Sequence, residues 1–259
     1  MRRGSSSYDS AGVSEAIGFV LIFTIVMMGI GLVTLYGYPM LLRQQASADQ
    51  RIMEKNMIVL QNDIKSICYK SVPYKETSLK VGGGSLAVFS SDMTPQAFNV
   101  TINGVLLDTF PLVGNLGELR YRSNSEGMVV TIESGAVIFR QYGQSGSTML
   151  AEPRWFYDTP THTAVIYMIN ITSEEMLSES GVGNVQMELG NTSYRSFSDP
   201  PFTVGYVPDP ENDYSTAWRD YIVNTLGWDE TFAGSNIYQL PADAQTLVIK
   251  EYDVMIRSL

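Results

Sequence analysis

The strongest constraint on this chain is a long apolar segment close to its N-terminus. No charged residue occurs between Glu15 and Arg43, and the residues between them read AIGFVLIFTIVMMGIGLVTLYGYPMLL. An α-helix of this length would measure roughly 40 Å at ~1.5 Å per residue, which exceeds the ~30 Å hydrocarbon core of a bilayer. A cleaved secretory signal has only about 7–15 apolar residues followed by a small-residue cleavage site, whereas Arg43 follows here. The segment therefore predicts a membrane helix that stays in the protein.

Small residues and one proline interrupt the apolar segment. Another helix can approach closely at a glycine, and close approach is how helices associate in lipid. Pro39 lacks an N–H and its ring clashes with the carbonyl of Leu35, so we expect a kink near the end of the segment. Gly and Pro are also commoner in membrane helices generally, which is the alternative explanation. The glycines are Gly18, Gly29, Gly31 and Gly37.

An amphipathic stretch follows the apolar segment without an intervening Gly or Pro until Pro73. Its apolar residues alternate between spacings of four and three, which is typical of one helix face, and charged residues occupy the other face. The outer half has room for only three or four heptads, so packing against the protein's own head is favoured over a coiled coil. The predicted apolar stripe comprises Met53, Met57, Leu60, Ile64 and Ile67.

Beyond residue 73 the sequence has the pattern of an antiparallel β-protein. Short alternating runs are separated by turn signals such as Asn103-Gly104 and Ser134-Gly135. Gly82-Gly83-Gly84 between two apolar runs predicts a hairpin. The predicted strands are Leu79–Val81, Leu86–Val88, Phe98–Asn103, Val105–Phe110, Glu118–Arg122, Met128–Glu133, Ala136–Gln141, Thr163–Ile171, Val185–Leu189 and Thr246–Ile256.

The last third of the head is predicted to be a loop, a short helix and a closing strand. The loop is SDPPFTVGYVPDPEND, from Ser198 to Asp213, and the helix runs from Tyr214 to Leu226 with Asp213 as its N-cap and Gly227 just past its end. The chain is therefore predicted to be an α+β protein. A long N-terminal transmembrane and amphipathic helix precedes a mostly antiparallel, β-sandwich-like head with one short helix.

The N-terminal residues resemble a known family. A short polar leader followed by SAGVSEAIGFVLIFTIVMMGIGLVTLYG is similar to the N-terminus of archaeal type IV pilin-like proteins, and SLKVGGGSLAVF resembles the first hairpin of an uncharacterised archaeal head family. The resemblance implies that a membrane prepilin peptidase cuts after Gly12, so that Val13 opens the mature chain. It also implies a leader over 1–12, a transmembrane helix over 13–42 that bundles with other copies in a filament, an amphipathic continuation over 43–72, and an extracellular head over 73–259. The family often has Lys or Arg before the cut, whereas this chain has Ala11.

Glu15 is the candidate assembly residue. A carboxylate is favoured at a helix N-terminus by the free amides and the dipole there. Cleavage would create a new ammonium at Val13, and Glu15 of a neighbouring copy could pair with it at low dielectric. Glu15 would be third in the mature chain, whereas bacterial pilins have their acidic residue fifth. The alternative is an ordinary interfacial charge at the end of the span.

Charge, cysteine content and sequons bear on location and partners. The formal net charge of -10 argues against nucleic acid as a partner, and the single cysteine, Cys68, excludes an intrachain disulfide. Cys68 continues the apolar stripe and is predicted to be a buried structural residue. The possible glycosylation sites, Asn99, Asn170 and Asn191, all follow the apolar segment, which agrees with an exported head.

No enzymatic constellation is evident in the sequence. A hydrolytic triad built on the single histidine, His162, would need a nucleophile motif such as Gly-x-Ser-x-Gly, which the sequence lacks. One His with one Cys cannot form a common zinc site. Carboxylates at alternate positions suit calcium, but Tyr214 occupies the position at which such a loop needs Gly, so a solvated turn is the alternative. We therefore predict no enzymatic activity, no cofactor and no metal. The weak calcium candidates are Asp209, Glu211, Asp213 and Asp220.

Together these patterns predict a pilin-like subunit of an archaeal surface filament, with membrane lipid, a prepilin peptidase and further pilin-like subunits as partners. The alternative is a single-pass membrane-anchored surface protein that never polymerises and whose head binds a ligand or an envelope component. A tethered hydrolase is a third class, for which the sequence offers no motif.

Overall fold

The computed structural model describes residues 9–107, 115–124, 127–144 and 146–259. Backbone contacts divide the chain into two compact units, Met1–Ala48 and Asp49–Leu259. The division falls within the predicted amphipathic segment 43–72, so most of that segment belongs to the same unit as the β-rich head.

Helical structure begins at Asp9 and continues to Lys70 in three consecutive elements. Helix α1 is Asp9–Leu32, a π-helical turn is Val33–Gly37, and helix α2 is Tyr38–Lys70. The N–H of Tyr38 donates to the carbonyl of Val33, five residues earlier. The widened turn lies where the ring of Pro39 would clash with the preceding helical carbonyls, so the disturbance expected near Pro39 is present as a π-turn.

The head contains two sheets and one short helix. The helix, α3, is Ser215–Asp220 and continues as a π-helical turn over Tyr221–Thr225, and a 3₁₀ turn covers Thr159–Thr161. The strands among the described residues are β1 Tyr74–Phe89, β2 Ala97–Ile102, β3 Val105–Leu106, β4 Glu118–Ser123, β5 Met128–Glu133, β6 Ala136–Gln141, β7 Ser147–Ala151, β8 Phe156–Asp158, β9 Thr163–Thr172, β10 Ser178–Phe197, β11 Phe202–Val207, β12 Asp229–Glu230, β13 Ile237–Gln239 and β14 Thr246–Ser258.

The large sheet has the strand order β7-β6-β5-β4-β1-β10-β14-β9-β8, and the small sheet has the order β12-β13-β11-β2-β3. Every strand pair among the described residues is antiparallel except β9 with β14, which run parallel with Thr163 opposite Thr246. The long N-terminal apolar helix and the mostly antiparallel, sheet-rich head with a short helix are therefore confirmed.

The large sheet is covered on both faces, and strand β9 shows how. Ala164 and Ile166 belong to one hydrophobic core, which they share with the small sheet and α3. Tyr167 and Ile169 belong to a second core, which they share with α2. Successive side chains of a strand point to opposite faces, so one strand contributes to two cores. This double burial explains why β9 reads as a nearly continuous apolar run rather than a strict alternation.

Helix α2 packs its predicted stripe onto the large sheet. Met53, Met57, Leu60, Ile64 and Ile67 are all fully buried, as the spacing predicted. Burial of each such side chain contributes about 1.5–3 kcal/mol. The prediction for Cys68 is also confirmed, because its thiol is buried in the same core and burial raises its pKa to about 12.

The predicted hairpin at Gly82-Gly83-Gly84 is wrong, because these glycines lie inside the single strand β1. The strand pairs with β10 over Tyr74–Val81 and again at Leu86 and Ala87, with a register shift between these two parts. It also pairs with β4 over Gly84–Phe89. Gly83 has a φ of +62°, and a Cβ on Gly84 would lie 2.2 Å from the carbonyl oxygen of Arg122. Glycine is required here for an irregularity within a strand, which gives the same local signal as a turn.

The loop predicted over Ser198–Asp213 contains strand β11, so that prediction is wrong in its centre. Phe202, Val204 and Tyr206 alternate and are buried in the core with α3. The N-cap of α3 is Tyr214 rather than Asp213, although the Asp213 carboxylate accepts a hydrogen bond from the N–H of Ser215 at 2.8 Å. Prolines and acidic residues on both sides of this short strand gave it the composition of a loop. Strand Val105–Leu106 is also shorter than predicted, and residues 108–114 lie outside the described part of the chain.

Candidate functional site

The apolar helix presents an uninterrupted hydrophobic surface. Every large apolar side chain from Ile17 to Leu42 is exposed, and Phe19 and Leu35 are 70% and 71% exposed. This is the one helix, among the described residues, that is long and apolar enough to cross a membrane. The hydroxyls of Thr24 and Thr34 donate to the carbonyls of Val20 and Ile30 at 2.7 and 2.9 Å. These polar groups are therefore satisfied within the helix.

The glycines of this helix face open space. A Cβ built on Gly18, Gly29 or Gly31 would meet no heavy atom within 4 Å outside the local helix. The packing of this chain therefore does not require glycine at these positions. A surface of small residues remains available for the backbone of a second helix.

The predicted processing site lies close to the start of α1. Residues 1–8 of the predicted leader are outside the described residues, whereas the backbone of Gly12 and Val13 is part of α1. Glu15 is exposed and forms no hydrogen bond or ion pair with the described part of the chain. Cleavage after Gly12 and the pairing of Glu15 with a neighbouring subunit stay predictions.

The three sequons lie in different environments. Asn99 is half-buried in β2 on the outer side of the small sheet, and Asn191 is exposed in β10. Asn170 is only 5% exposed; it accepts a hydrogen bond from the N–H of Gly117 at 3.1 Å and donates one to Asp253 at 3.2 Å. A glycan on Asn170 would have to displace both contacts. The geometry therefore favours Asn99 and Asn191 as acceptors.

The calcium candidates are not assembled into a site. Asp209 is buried; its carboxylate accepts from the N–H of Glu211 at 2.9 Å and from the side chain of Asn212 at 3.1 Å. Asp213 accepts from Ser215, and Asp220 is exposed at the end of α3. Within the described ranges, no three His, Cys, Asp or Glu side chains are grouped in a way that could hold a metal ion. Asp209 instead orders the turn that precedes α3.

A pair of buried carboxyl groups was missed by the sequence analysis. Glu118 in β4 lies directly opposite Glu133 in β5, and both are fully buried. Thr131 donates to Glu118 at 2.5 Å, and Arg120 forms an ion pair with it. The signal was available, because Glu118 and Glu133 were the outer ends of two consecutive predicted strands. An antiparallel pairing of those strands brings their outer ends together.

Glu133 connects the large sheet to the elements packed on it. Its Oε1 accepts hydrogen bonds from the indole N–H of Trp218 at 2.7 Å and from the hydroxyl of Tyr206 at 3.0 Å, whereas Oε2 has no partner. Burial, and secondarily the charge of Glu118, raises the pKa of Glu133 to about 8. Burial therefore favours the neutral, protonated form of the carboxyl. Because the group is fully buried, it acts as a polar contact between sheets rather than as a ligand site.

The single histidine lies at the start of β9. His162 Nδ1 is 3.0 Å from Asp243 Oδ2 and 3.2 Å from the hydroxyl of Tyr157. The single cysteine, Cys68, is buried in the core that α2 shares with the large sheet. In the described parts of the chain, the histidine ring is hydrogen-bonded to no serine or cysteine that could act as a nucleophile.

Comparisons with known proteins extend over both the helix and the head. Residues 12–257 match the family of unknown function DUF7289. An uncharacterised protein of Archaeoglobus fulgidus is 25% identical, with 81% of this chain and 82% of the relative covered. No solved structure matches this chain. The family match begins at Gly12 and spans both the apolar helix and the head.

Proposed function

This chain belongs to DUF7289, a family of unknown function whose match spans the apolar helix and the head, and we propose that it is a pilin-like subunit of an archaeal type IV pilus-like surface filament. A prepilin peptidase removes residues 1–12, the helix over 13–42 crosses the membrane before assembly, and the head is extracellular. The assembled subunits contact one another through the apolar helix. The two sheets of each head, which share one core, form a sandwich-like unit.

One observation carries the proposal. The apolar side chains over residues 17–42 are exposed, whereas those of the α2 stripe and the two head cores are buried. An apolar helix of this length needs a lipid or protein environment along its whole circumference. The glycines that face open space favour other helices as part of that environment. Assembly through the helix is thus the function that uses both its hydrophobicity and its small residues.

A non-polymerising membrane-anchored surface protein remains the second candidate. It is favoured by the same exposed helix, because lipid alone could cover it. The two candidates differ in what surrounds the helix after export. A hydrolytic head has less support, since His162 contacts Asp243 and Tyr157 without a nucleophile among the described residues.

Shearing of intact cells separates the candidates. We expect filaments in the sheared fraction whose subunit, measured by intact mass, begins at Val13. Protease added to intact cells should degrade the head and spare the segment around Phe19–Leu35. Recovery of the chain only from membranes, with residues 1–12 attached, would contradict the proposal and favour the second candidate. A head degraded only after permeabilisation would contradict export itself.

A further inference from the structure

The outer face of the small sheet contains a groove of about 270 Å³ that the function proposed above does not explain. Its apolar walls are Leu106 on β3 and Ile237 on β13, which are 59% and 40% exposed. Three residues with hydroxyl side chains, Thr101, Thr203 and Ser235, also line it. An exposed apolar surface bordered by polar groups is typical of a surface that something covers.

Gly205 forms the floor of the groove between two of its wall residues. It lies between Asn99 of β2 and Ile237 of β13 in the sheet register. A Cβ on Gly205 would lie 3.8 Å from the Cβ of Asn99 and 3.6 Å from Cγ1 of Ile237. A larger side chain here would fill the space between the two walls, so glycine keeps the groove open directly beside the Asn99 amide.

Asn99 is both a wall of the groove and the first residue of the sequon Asn99-Val100-Thr101. Residues two apart on a strand share a face, so Thr101 lines the same groove as Asn99. The amide of Asn99 forms no hydrogen bond within the described ranges, in contrast to the fully engaged amide of Asn170. Asn191 is exposed but lines no part of the groove.

We propose that Asn99 carries an N-linked saccharide whose first sugar rings lie in this groove and cover the outer face of the small sheet. This inference rests on the extracellular head of the proposed function, because the saccharide is transferred outside the cytoplasm. A sugar ring has an apolar C–H face and a polar hydroxyl edge. The groove offers the matching surfaces, with apolar walls at Leu106 and Ile237 and hydroxyls at Thr101 and Thr203.

The modification is a glycosyl transfer from a lipid-phosphate-linked oligosaccharide. The bond from the sugar C1 to Asn99 Nδ2 forms while the bond from C1 to the phosphate oxygen breaks. The lipid phosphate leaves with the electron pair of the broken bond, and the proton lost from the amide nitrogen passes to solvent. The free side-chain amide of Asn99 provides the acceptor, whereas Asn170 would first have to give up its bonds to Gly117 and Asp253.

Two substitutions at Thr101 provide a matched test in the full-length protein purified from its native host. Thr101→Ser preserves the acceptor sequence, and Thr101→Val removes it with almost the same side-chain shape. Peptide masses report on occupancy at Asn99, Asn170 and Asn191. Binding of an environment-sensitive apolar dye and amide hydrogen exchange in β2, β11 and β13 report on whether the face is covered.

We expect an added saccharide mass on the Asn99 peptide in the wild type and in Thr101→Ser but not in Thr101→Val. The valine variant should bind several-fold more dye and exchange faster in these three strands. A saccharide on Asn191 without one on Asn99 would overturn this inference and leave the exported head intact. Absence of saccharide from all three sequons would overturn the inference and count against export. Occupancy at Asn99 with unchanged dye binding and exchange in Thr101→Val would overturn the covering role.

Discussion

The same kinds of side chain have opposite environments in the N-terminal helix and in the head. Leu35 is 71% exposed, whereas Leu60, in the next helix along the chain, is fully buried. Met28 is 63% exposed and Met57 is fully buried. In the head, the large sheet supplies the surface that covers the α2 stripe from Met53 to Ile67. Nothing among the described residues does this for residues 17–42.

The apolar residues of the two regions are therefore suited to different environments: those of the head cores to the protein interior, and those of the N-terminal helix to lipid or to another helix. The head buries two hydrophobic cores, and its buried Glu133 accepts hydrogen bonds from Trp218 and Tyr206. The helix satisfies its backbone and its two threonines internally but leaves its whole apolar surface for an external partner. Stability of the head and association of the helix should therefore respond to different substitutions.

Truncation of one leucine in each region should give the largest contrast. Leu60→Ala removes a fully buried side chain from the core between α2 and the large sheet, and should lower the free energy of unfolding of the head by about 2–5 kcal/mol. Leu35→Ala should leave that free energy unchanged. Urea unfolding of the detergent-solubilised protein, followed by tryptophan fluorescence, measures both, since Trp155, Trp218 and Trp228 are all buried in the head. Equal losses in the two variants would break the contrast.

A comparison of Glu133 with glutamine at the same position tests whether the folded head keeps this buried carboxyl protonated. Folded Glu133 retains its proton up to about pH 8, whereas the unfolded carboxyl loses it near pH 4.5. Between these values the folded state binds more protons, so the free energy of unfolding falls as pH rises, by roughly 1.4 kcal/mol per pH unit. Glu133→Gln mimics the protonated side chain and should remove this contribution to the slope. Parallel stability profiles for the variant and the wild type from pH 5 to 8 would refute it.

Alanine substitutions at two glycines, one in the head and one in the apolar helix, test the same difference between the two regions. A Cβ on Gly117 would lie 1.7 Å from the carbonyl oxygen of Ile171, whereas a Cβ on Gly31 meets open space. Gly117→Ala should therefore destabilise the head by about 1–3 kcal/mol or more, because backbone must move. Gly31→Ala should not change head stability but should reduce the yield of sheared filaments, if helices approach one another there. The two variants are compared by urea unfolding and by filament yield.

The smallest effect on stability is expected at Glu15. Glu15→Ala and Glu15→Gln should leave membrane insertion and head unfolding unchanged, because each makes the end of the apolar helix less polar. Both should reduce the ratio of sheared filaments to membrane-bound subunit, since the pairing with a neighbour's Val13 ammonium is lost. Agreement between the two variants separates charge from size. An unchanged ratio in both would make Glu15 an ordinary interfacial residue.

The sequence predictions that the structure confirms came from local patterns of apolar residues and turn residues. The stripe from Met53 to Ile67 was predictable because one helix face is buried against one surface. Strands Met128–Glu133 and Ala136–Gln141 were predicted to the residue, because Ser134-Gly135 is a tight turn between two apolar runs and both residues have positive φ. In each case the pattern and its cause lie within a few residues of one another.

The features that could not be predicted from the sequence depend on contacts between residues far apart in the chain. The parallel pairing of β9 with β14 joins Thr163 to Thr246, and nothing in either segment specifies the other. The glycine triplet gave a turn signal, although its residues are needed where the register of β1 against β10 shifts and where Gly84 lies against β4. Glu133 was only the last residue of a predicted strand, and its role depends on Trp218 of α3 and Tyr206 of β11, which are distant in sequence. What surrounds the apolar helix is likewise absent from the sequence of one chain.

The central claim, that copies of this helix surround one another, is tested most directly by cysteine cross-linking in native membranes or filaments. Native Cys68 is only 3% exposed and burial raises its pKa to about 12, so an introduced cysteine provides the reactive thiol. Cysteine is substituted singly for each of four consecutive exposed residues that cover one helical turn. The account predicts disulfide-linked dimers for those positions that face a neighbouring helix. Monomers at all four positions, with the head folded and exported, would contradict it. The four positions are Ile25, Val26, Met27 and Met28.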